Sequence, residues 1–270
     1  MSETLKAIIL GIIQGLTEFL PVSSSGHLEL GKSILGIEFQ GNESLAFTVW
    51  LHLATALSTI VFFRKSIFKI FKDSFSSNKS EQKTSLKYIG FIALSMLPAG
   101  IVGLLFEDEI DEFFYGNIGL VSLCLLFTGA LLFFAQKAKD KTGELNTKNA
   151  FLIGLAQAIA LLPGISRSGS TIASALILGV KREEAAKFSF LMVLPLILAK
   201  VGKDVLEAIM ANDFAALSLT GDTMLAFVFA FATGLLACKW MISLVKKLKL
   251  YGFAAYCALV GVIGLIFSFI

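Results

Sequence analysis

The chain has 270 residues, 23 Lys and Arg against 20 Asp and Glu, 56% apolar residues and a mean hydropathy of +0.81. Charged side chains make up 16%, too few to coat a water-soluble globule, in which about a quarter is usual. A soluble fold is excluded, and a formal charge of +3 with 25 Phe also excludes disorder and nucleic-acid binding.

The first apolar stretch, Thr4 to Ser33, carries Glu18 and runs into Pro21 and a serine cluster without a small-residue cleavage site, so it is not read as a signal peptide. It breaks midway at LPVSSSGH. Three spans are expected next: Ala46 to Phe63, Tyr88 to Phe106 and Ile118 to Ala135. A second interrupted stretch, Asn149 to Gly179, breaks at LPGISRSGST, and spans at Ala185 to Val201, Met224 to Ile242 and Tyr251 to Ile270 follow. All six spans are long enough to cross a ~30 Å hydrocarbon core. The two breaks put Pro, Gly and hydroxyl residues at membrane depth, which is tolerated only where backbone is buried in protein or lines a wet cavity. They are therefore read as re-entrant helix-loop-helix hairpins. Cys124, Cys238 and Cys257 lie far apart inside apolar runs and fit neither a disulfide framework nor a zinc site.

Charge orients the bundle. The connection after the first span holds Arg64, Lys65, Lys69, Lys72, Lys79, Lys83 and Lys87, and the next holds Glu107, Asp108, Glu109, Asp111 and Glu112. The positive-inside rule makes the first cytoplasmic and the second external. Lys137, Lys139, Lys141 and Lys148, then Lys181, Arg182 and Lys187, then Lys239, Lys246, Lys247 and Lys249 mark later returns to the cytoplasm. Sliding the sequence by 143 residues aligns Gly11, Gln14, Ser23, Ser25, Gly26 and Phe47 with Gly154, Gln157, Ser166, Ser168, Gly169 and Phe190. Each half is then one hairpin plus three spans, and an odd number of crossings inverts the second half. The expectation is an all-α integral membrane protein, a single membrane domain over residues 1–270 built as an inverted-topology repeat (about 1–140 and 141–270), with its site where the halves meet.

The first tip offers Gln14, Glu18, Ser23, Ser24, Ser25 and His27, with Gln14 and Glu18 four apart on one helix face. The second offers Ser166, Arg167, Ser168, Ser170 and Thr171 ahead of a half-helix whose N-terminal amides favour anions. One guanidinium, many hydroxyls and a helix N-terminus describe an oxyanion site, and the Arg fork suits phosphate. Ionisable groups at this depth point to function; the plainer alternative is that Glu18 and Arg167 form a pair tying the hairpins together. His27, beside Ser24 and Glu18, is a candidate acid/base or nucleophile. Other polar residues have structural readings: a packed, hydrogen-bonded His52, a peripheral Glu29, close helix packing at Ser170, Ser174 and Leu178, and helix kinks at Pro98 and Pro195. The basic connection is expected to face anionic headgroups.

QGLTEFLPVSSSGH at Gln14 to His27 and LPGISRSGST at Leu162 to Thr171 together resemble the two signature motifs of the undecaprenyl-diphosphate phosphatases, the BacA/UppP family of bacterial membrane enzymes, and motif order and separation match over the whole chain. The resemblance implies hydrolysis of the C55 polyprenyl diphosphate lipid to its monophosphate in the bacterial cytoplasmic membrane, opening toward the periplasmic side. It implies recycling of the carrier for peptidoglycan synthesis, bacitracin resistance, and a divalent cation, Mg2+ or Ca2+. Carried over by motif, Glu18, Ser24, His27 and Arg167 are the catalytic group, Ser23, Ser25, Ser166, Ser168, Ser170 and Thr171 surround the substrate, and Glu18 and Gln14 hold the metal. Many members have Glu at the position of Gln14, so a two-carboxylate cradle is in doubt. Ser24 is the favoured nucleophile, with His27 or a water as alternatives. The main rival is a polyprenyl-phosphate flippase or anion transporter using the same midplane site, and a weaker one is a non-catalytic lipid-binding subunit.

Overall fold

The computed structural model describes residues 1–37, 43–114, 117–138, 143–213, 217–247 and 249–269, without the side chains of residues 43–45, 108 and 111. The helices, in order, are α1 (Glu3–Thr17), α2 (Ser24–Leu35), α3 (Glu43–Ser74), α4 (Lys79–Phe114), α5 (Ile118–Gln136), α6 (Thr147–Ile159), α7 (Arg167–Ile177), α8 (Arg182–Met210), α9 (Gly221–Lys246) and α10 (Tyr251–Phe267). Extended pairing among the described residues is limited to one bridge between Gly143 and Val180. Among the described residues five helices, α3, α4, α5, α8 and α9, are long and apolar enough to cross a membrane, and α10 is a shorter apolar helix. At 17 residues α10 is ~26 Å long, just under the ~30 Å core. The protein is an all-α integral membrane protein.

Two connections expected as loops are helical. The basic stretch from Arg64 to Lys87 is the end of α3 and the start of α4, with only residues 75–78 between them, and the acidic stretch from Glu107 to Glu112 belongs to α4. Charge decides which side of the membrane a segment occupies, but Lys and Glu are good helix formers, so the backbone ladder continues past the hydrocarbon. Nor is Glu107 a free surface charge: it pairs with Lys200 and Lys203 of α8, and Lys200 also bonds Asp204 at 2.7 Å, which joins the ends of α4 and α8. Pro98 and Pro195 sit inside α4 and α8, and both helices continue through them. Lys139 and Lys141 lie outside the described residues, as do the side chains of Asp108 and Asp111 and the expected span end, Ile270.

Both interrupted segments are hairpins, α1 with α2 and α6 with α7. Their long arms are gripped alike: α1 packs along α9, and α6 along α4. A Cβ on Gly11 would meet Ala226 O at 2.3 Å, and one on Gly154 would meet Ser95 O at 2.5 Å, so backbone contact replaces side-chain packing in both. α5 packs along α10, and α3 lies on α8 and α9. The short arms differ. α7 packs on α5, α6 and α8 and buries eight of its residues, whereas α2 packs extensively only on α1 and buries three. Behind the tips lies an apolar cluster that includes Phe188, Phe190, Met192 and Met241.

Candidate active site

The site grows from one carboxylate. α1 ends at Thr17 and Glu18 caps it, its amide donating to Gln14 O at 3.0 Å. The side chain is 2% exposed and sits at the negative end of the α1 dipole, a position that demands compensation. Compensation comes from three elements. Arg167, the first residue of α7, donates from Nη2 to Oε1. Ser24, the first residue of α2, donates from Oγ to Oε2 at 2.7 Å, and Gln14 Nε2 donates to the same oxygen at 3.0 Å. The two tips therefore meet, and further bonds tie them: Ser168 Oγ donates to Leu20 O at 3.2 Å, and Cys257 Sγ of α10 donates to Pro21 O at 3.5 Å.

The backbone presents these groups in two ways. Ser23, ahead of α2, has φ 71° and no side-chain cap bond; a non-glycine residue held there is strained, as at many functional turns. Ser166, ahead of α7, is a relaxed N-cap whose Oγ accepts from Gly169 N at 3.1 Å. Thr128 of α5 braces the second tip, its Oγ1 donating to Gly164 O at 3.1 Å and accepting from Ser166 N at 3.0 Å. Gly164 has φ 93°, and a Cβ there would meet Val121 O at 2.3 Å.

His27 lies one turn into α2, but its ring bonds neither Ser24 nor Glu18. Nδ1 is 2.8 Å from Ser23 O and Nε2 is 2.7 Å from the Tyr256 hydroxyl of α10. Of the expected substrate residues, Ser168 and Thr171 line a small cavity with Glu18, Phe19, Arg167, Ser189, Phe190, Val193 and Ile197. Thr171 Oγ1 donates to Arg167 O at 2.9 Å, so the 2.5 Å contact with Ser189 is accepted from the serine hydroxyl. Ser25 is exposed and 3.4 Å from Ser23 Oγ, and Ser166 is buried as a cap. Ser170 is also buried, its hydroxyl unpartnered and outside the cavity lining. His52 Nδ1 donates to Thr48 O at 2.9 Å, and Glu29 pairs with Lys32 at 2.9 Å.

The cavity holds about 10 Å³, room for one water at most. No described group of three His, Cys, Asp or Glu side chains forms a metal cage. Glu18 and Gln14 Oε1, a buried acceptor without a partner, suit a hard cation that takes its other ligands from phosphate and water, as Mg2+ commonly does.

A family model for "Bacitracin resistance protein BacA" matches residues 7–263. The chain belongs to the BacA family. It is 55% identical over 271 residues to the undecaprenyl-diphosphatase of Christiangramia forsetii, covering 99% of both chains. Identity to the protein of the same name from Bacteroides fragilis is 49%, covering 98% of both, and to undecaprenyl-diphosphatase 1 of Bacillus cereus 36%, covering 97% of each. Three residues of this BacA-family site escaped the sequence reading: Thr128, Ser189 and Tyr256. Each lies in an apolar stretch of its helix, and its only sequence signal is a hydroxyl where a span would otherwise be apolar.

Proposed function

We propose that this chain is an undecaprenyl-diphosphatase, hydrolysing the C55 polyprenyl diphosphate to the monophosphate and inorganic phosphate, and so recycling the carrier for peptidoglycan synthesis. One observation carries the reading: Arg167, Ser24 and Gln14 converge on the buried Glu18 inside a helical membrane bundle. Ser24 Oγ attacks the terminal phosphorus while its proton passes along the existing 2.7 Å bond to Glu18. The bridging P–O bond breaks, prenyl monophosphate departs, and a phosphoserine remains. Water then attacks that phosphorus, the Oγ–P bond breaks as Ser24 recovers its proton from Glu18, and inorganic phosphate leaves carrying the two water protons. The cavity is too small for a diphosphate while Arg167 is bound to Glu18, so entry requires Arg167 to exchange the carboxylate for phosphate oxygens, where its charge stabilises the transition state. A divalent cation, Mg2+ or Ca2+, held by Glu18 and Gln14 Oε1 together with the diphosphate, would supply further charge neutralisation.

The matched pairs α1 with α9 and α6 with α4 support reading the chain as two inverted halves, about 1–140 and 141–270. That reading places the first hairpin on the periplasmic side of the bacterial cytoplasmic membrane. The same pairing favours a second reading, a polyprenyl-phosphate flippase or anion transporter at the same site. The test is phosphate release from polyprenyl diphosphate by detergent-solubilised protein, with and without EDTA. Release that stops on chelation is expected. No release, with lipid phosphate crossing the bilayer of liposomes that contain the protein, would put the transporter in its place.

A further inference from the structure

The tautomer of His27 is fixed by its neighbours. Nδ1 lies 2.8 Å from Ser23 O, and a carbonyl oxygen only accepts, so Nδ1 carries the hydrogen. In the neutral ring Nε2 is then an acceptor, and the Tyr256 hydroxyl, 2.7 Å away, donates to it. The two rings also stack, with centroids 5.5 Å apart and planes 18° from parallel. The arrangement is anchored at both ends. Ser23 is held at φ 71°, and Cys257, next to Tyr256, bonds Pro21 O in the turn of the first hairpin, which sets the register of α10 against that tip. Ser24 already has its proton acceptor in Glu18, so the Nε2 of His27 is not needed to deprotonate it.

Beside this pair the bundle is open. α2 has little packing against α10, Ser25 is exposed, and Tyr256 is 43% exposed among lipid-facing residues such as Leu259 and Ile263. We propose that Tyr256 is a positioning residue for the hydrolysis, holding His27 as the Nδ1–H tautomer at the open flank between α2 and α10, where the prenyl monophosphate leaves. The proposal rests on the phosphatase reading. In the productive complex a proton taken up from water makes Nε2 a donor, and the bridging oxygen takes the place of the Tyr256 hydroxyl as its partner. As the bridging P–O bond breaks, its electron pair stays on the bridging oxygen, that oxygen takes the Nε2 proton, and His27 is left neutral to accept again from the Tyr256 hydroxyl.

Tyr256→Phe keeps the ring stack and removes only the hydroxyl. Its expected effect on phosphate release from a C55 diphosphate in detergent is a fall in kcat of about tenfold with KM changed by less than about twofold, a fraction of what acid catalysis supplies. In a His27→Gln background the same change should cost less than about twofold, because there is no imidazole left to position. The chain has two histidines, so a sample labelled with 15N only at histidine gives two imidazole patterns, and His52→Gln identifies His27. The Nε2 resonance of His27 should move in Tyr256→Phe while the Nδ1–H pattern persists. An equal loss in both backgrounds, or wild-type kinetics with an unmoved Nε2 resonance, overturns the proposal. If the wild-type protein releases no phosphate, the phosphatase reading fails, and the imidazole spectrum still tests the link between Tyr256 and His27.

Discussion

Replacing Arg167 by Ala separates what the ion pair does for folding from what it does for chemistry. The substitution strands a carboxylate whose side chain is 2% exposed, while leaving Ser24 and Gln14 bonded to its other oxygen. Breaking one side of a buried pair costs ~3–5 kcal/mol. Two surviving donors, and the 21% exposure of the arginine side chain, place this case near the lower end, ~3 kcal/mol, and hence ~6–12 °C in Tm for a chain of about this size. Turnover should fall further: an arginine on a transferring phosphoryl group contributes ~10³–10⁵ in rate, or ~4–7 kcal/mol of barrier at 1.36 kcal/mol per decade. The assays are thermal unfolding in detergent and phosphate release from polyprenyl diphosphate. Adding Glu18→Gln to Arg167→Ala removes the stranded charge and should recover most of the lost Tm without recovering turnover. A single variant that melts with the wild type would refute the claim that the pair is desolvated, and one that retains turnover would remove Arg167 from the chemistry.

Ser24→Ala should lower turnover by about 10³ or more while lipid diphosphate still binds, and should cost only ~1.5 kcal/mol of stability for the lost bond to Glu18; binding assays on the inactive protein check this, and equal loss of binding and turnover would remove Ser24 as nucleophile. Thr128→Val leaves Gly164 O and Ser166 N without their partner, at ~2–4 kcal/mol for two buried backbone groups; a melt and a fall in kcat should appear together, because the loosened tip carries Arg167. Gly154→Ala forces α6 off α4, where the new Cβ would lie 2.5 Å from Ser95 O, and should destabilise by ~1–3 kcal/mol. Gly90→Ala, with nothing within 4 Å of the added Cβ, should stabilise α4 by up to ~1 kcal/mol, and the two melts measured side by side check the packing argument.

The legible parts of the site were those written in local chemistry. Pro21 with Ser23 to Ser25, and Pro163 with Gly164, cannot continue a spanning helix, so both breaks announced themselves along with Glu18 and Arg167. Charge patterning marks a side of the membrane and not the end of a helix: Arg64 to Ser74 is as helical as the apolar run before it, because helix propensity and hydrophobicity are separate properties. Ser189 and Tyr256 carried no local mark, since a hydroxyl in an apolar helix reads alike whether it faces lipid or another polar side chain.

The amino-acid sequence on its own determined that this chain lives in a bilayer, where its helices break, and which side chains the breaks carry, because hydropathy and backbone chemistry act over a few consecutive residues. Only the tertiary structure decided that Arg167 closes on Glu18 across 149 positions and that the Ser24 hydroxyl donates a hydrogen bond to that carboxylate. It also turned His27 away toward Tyr256, 229 positions on. Those choices are made by the packing of α1 on α9, α6 on α4 and α10 on α5, which fixes how far each tip reaches and which groups lie within a hydrogen bond of one another.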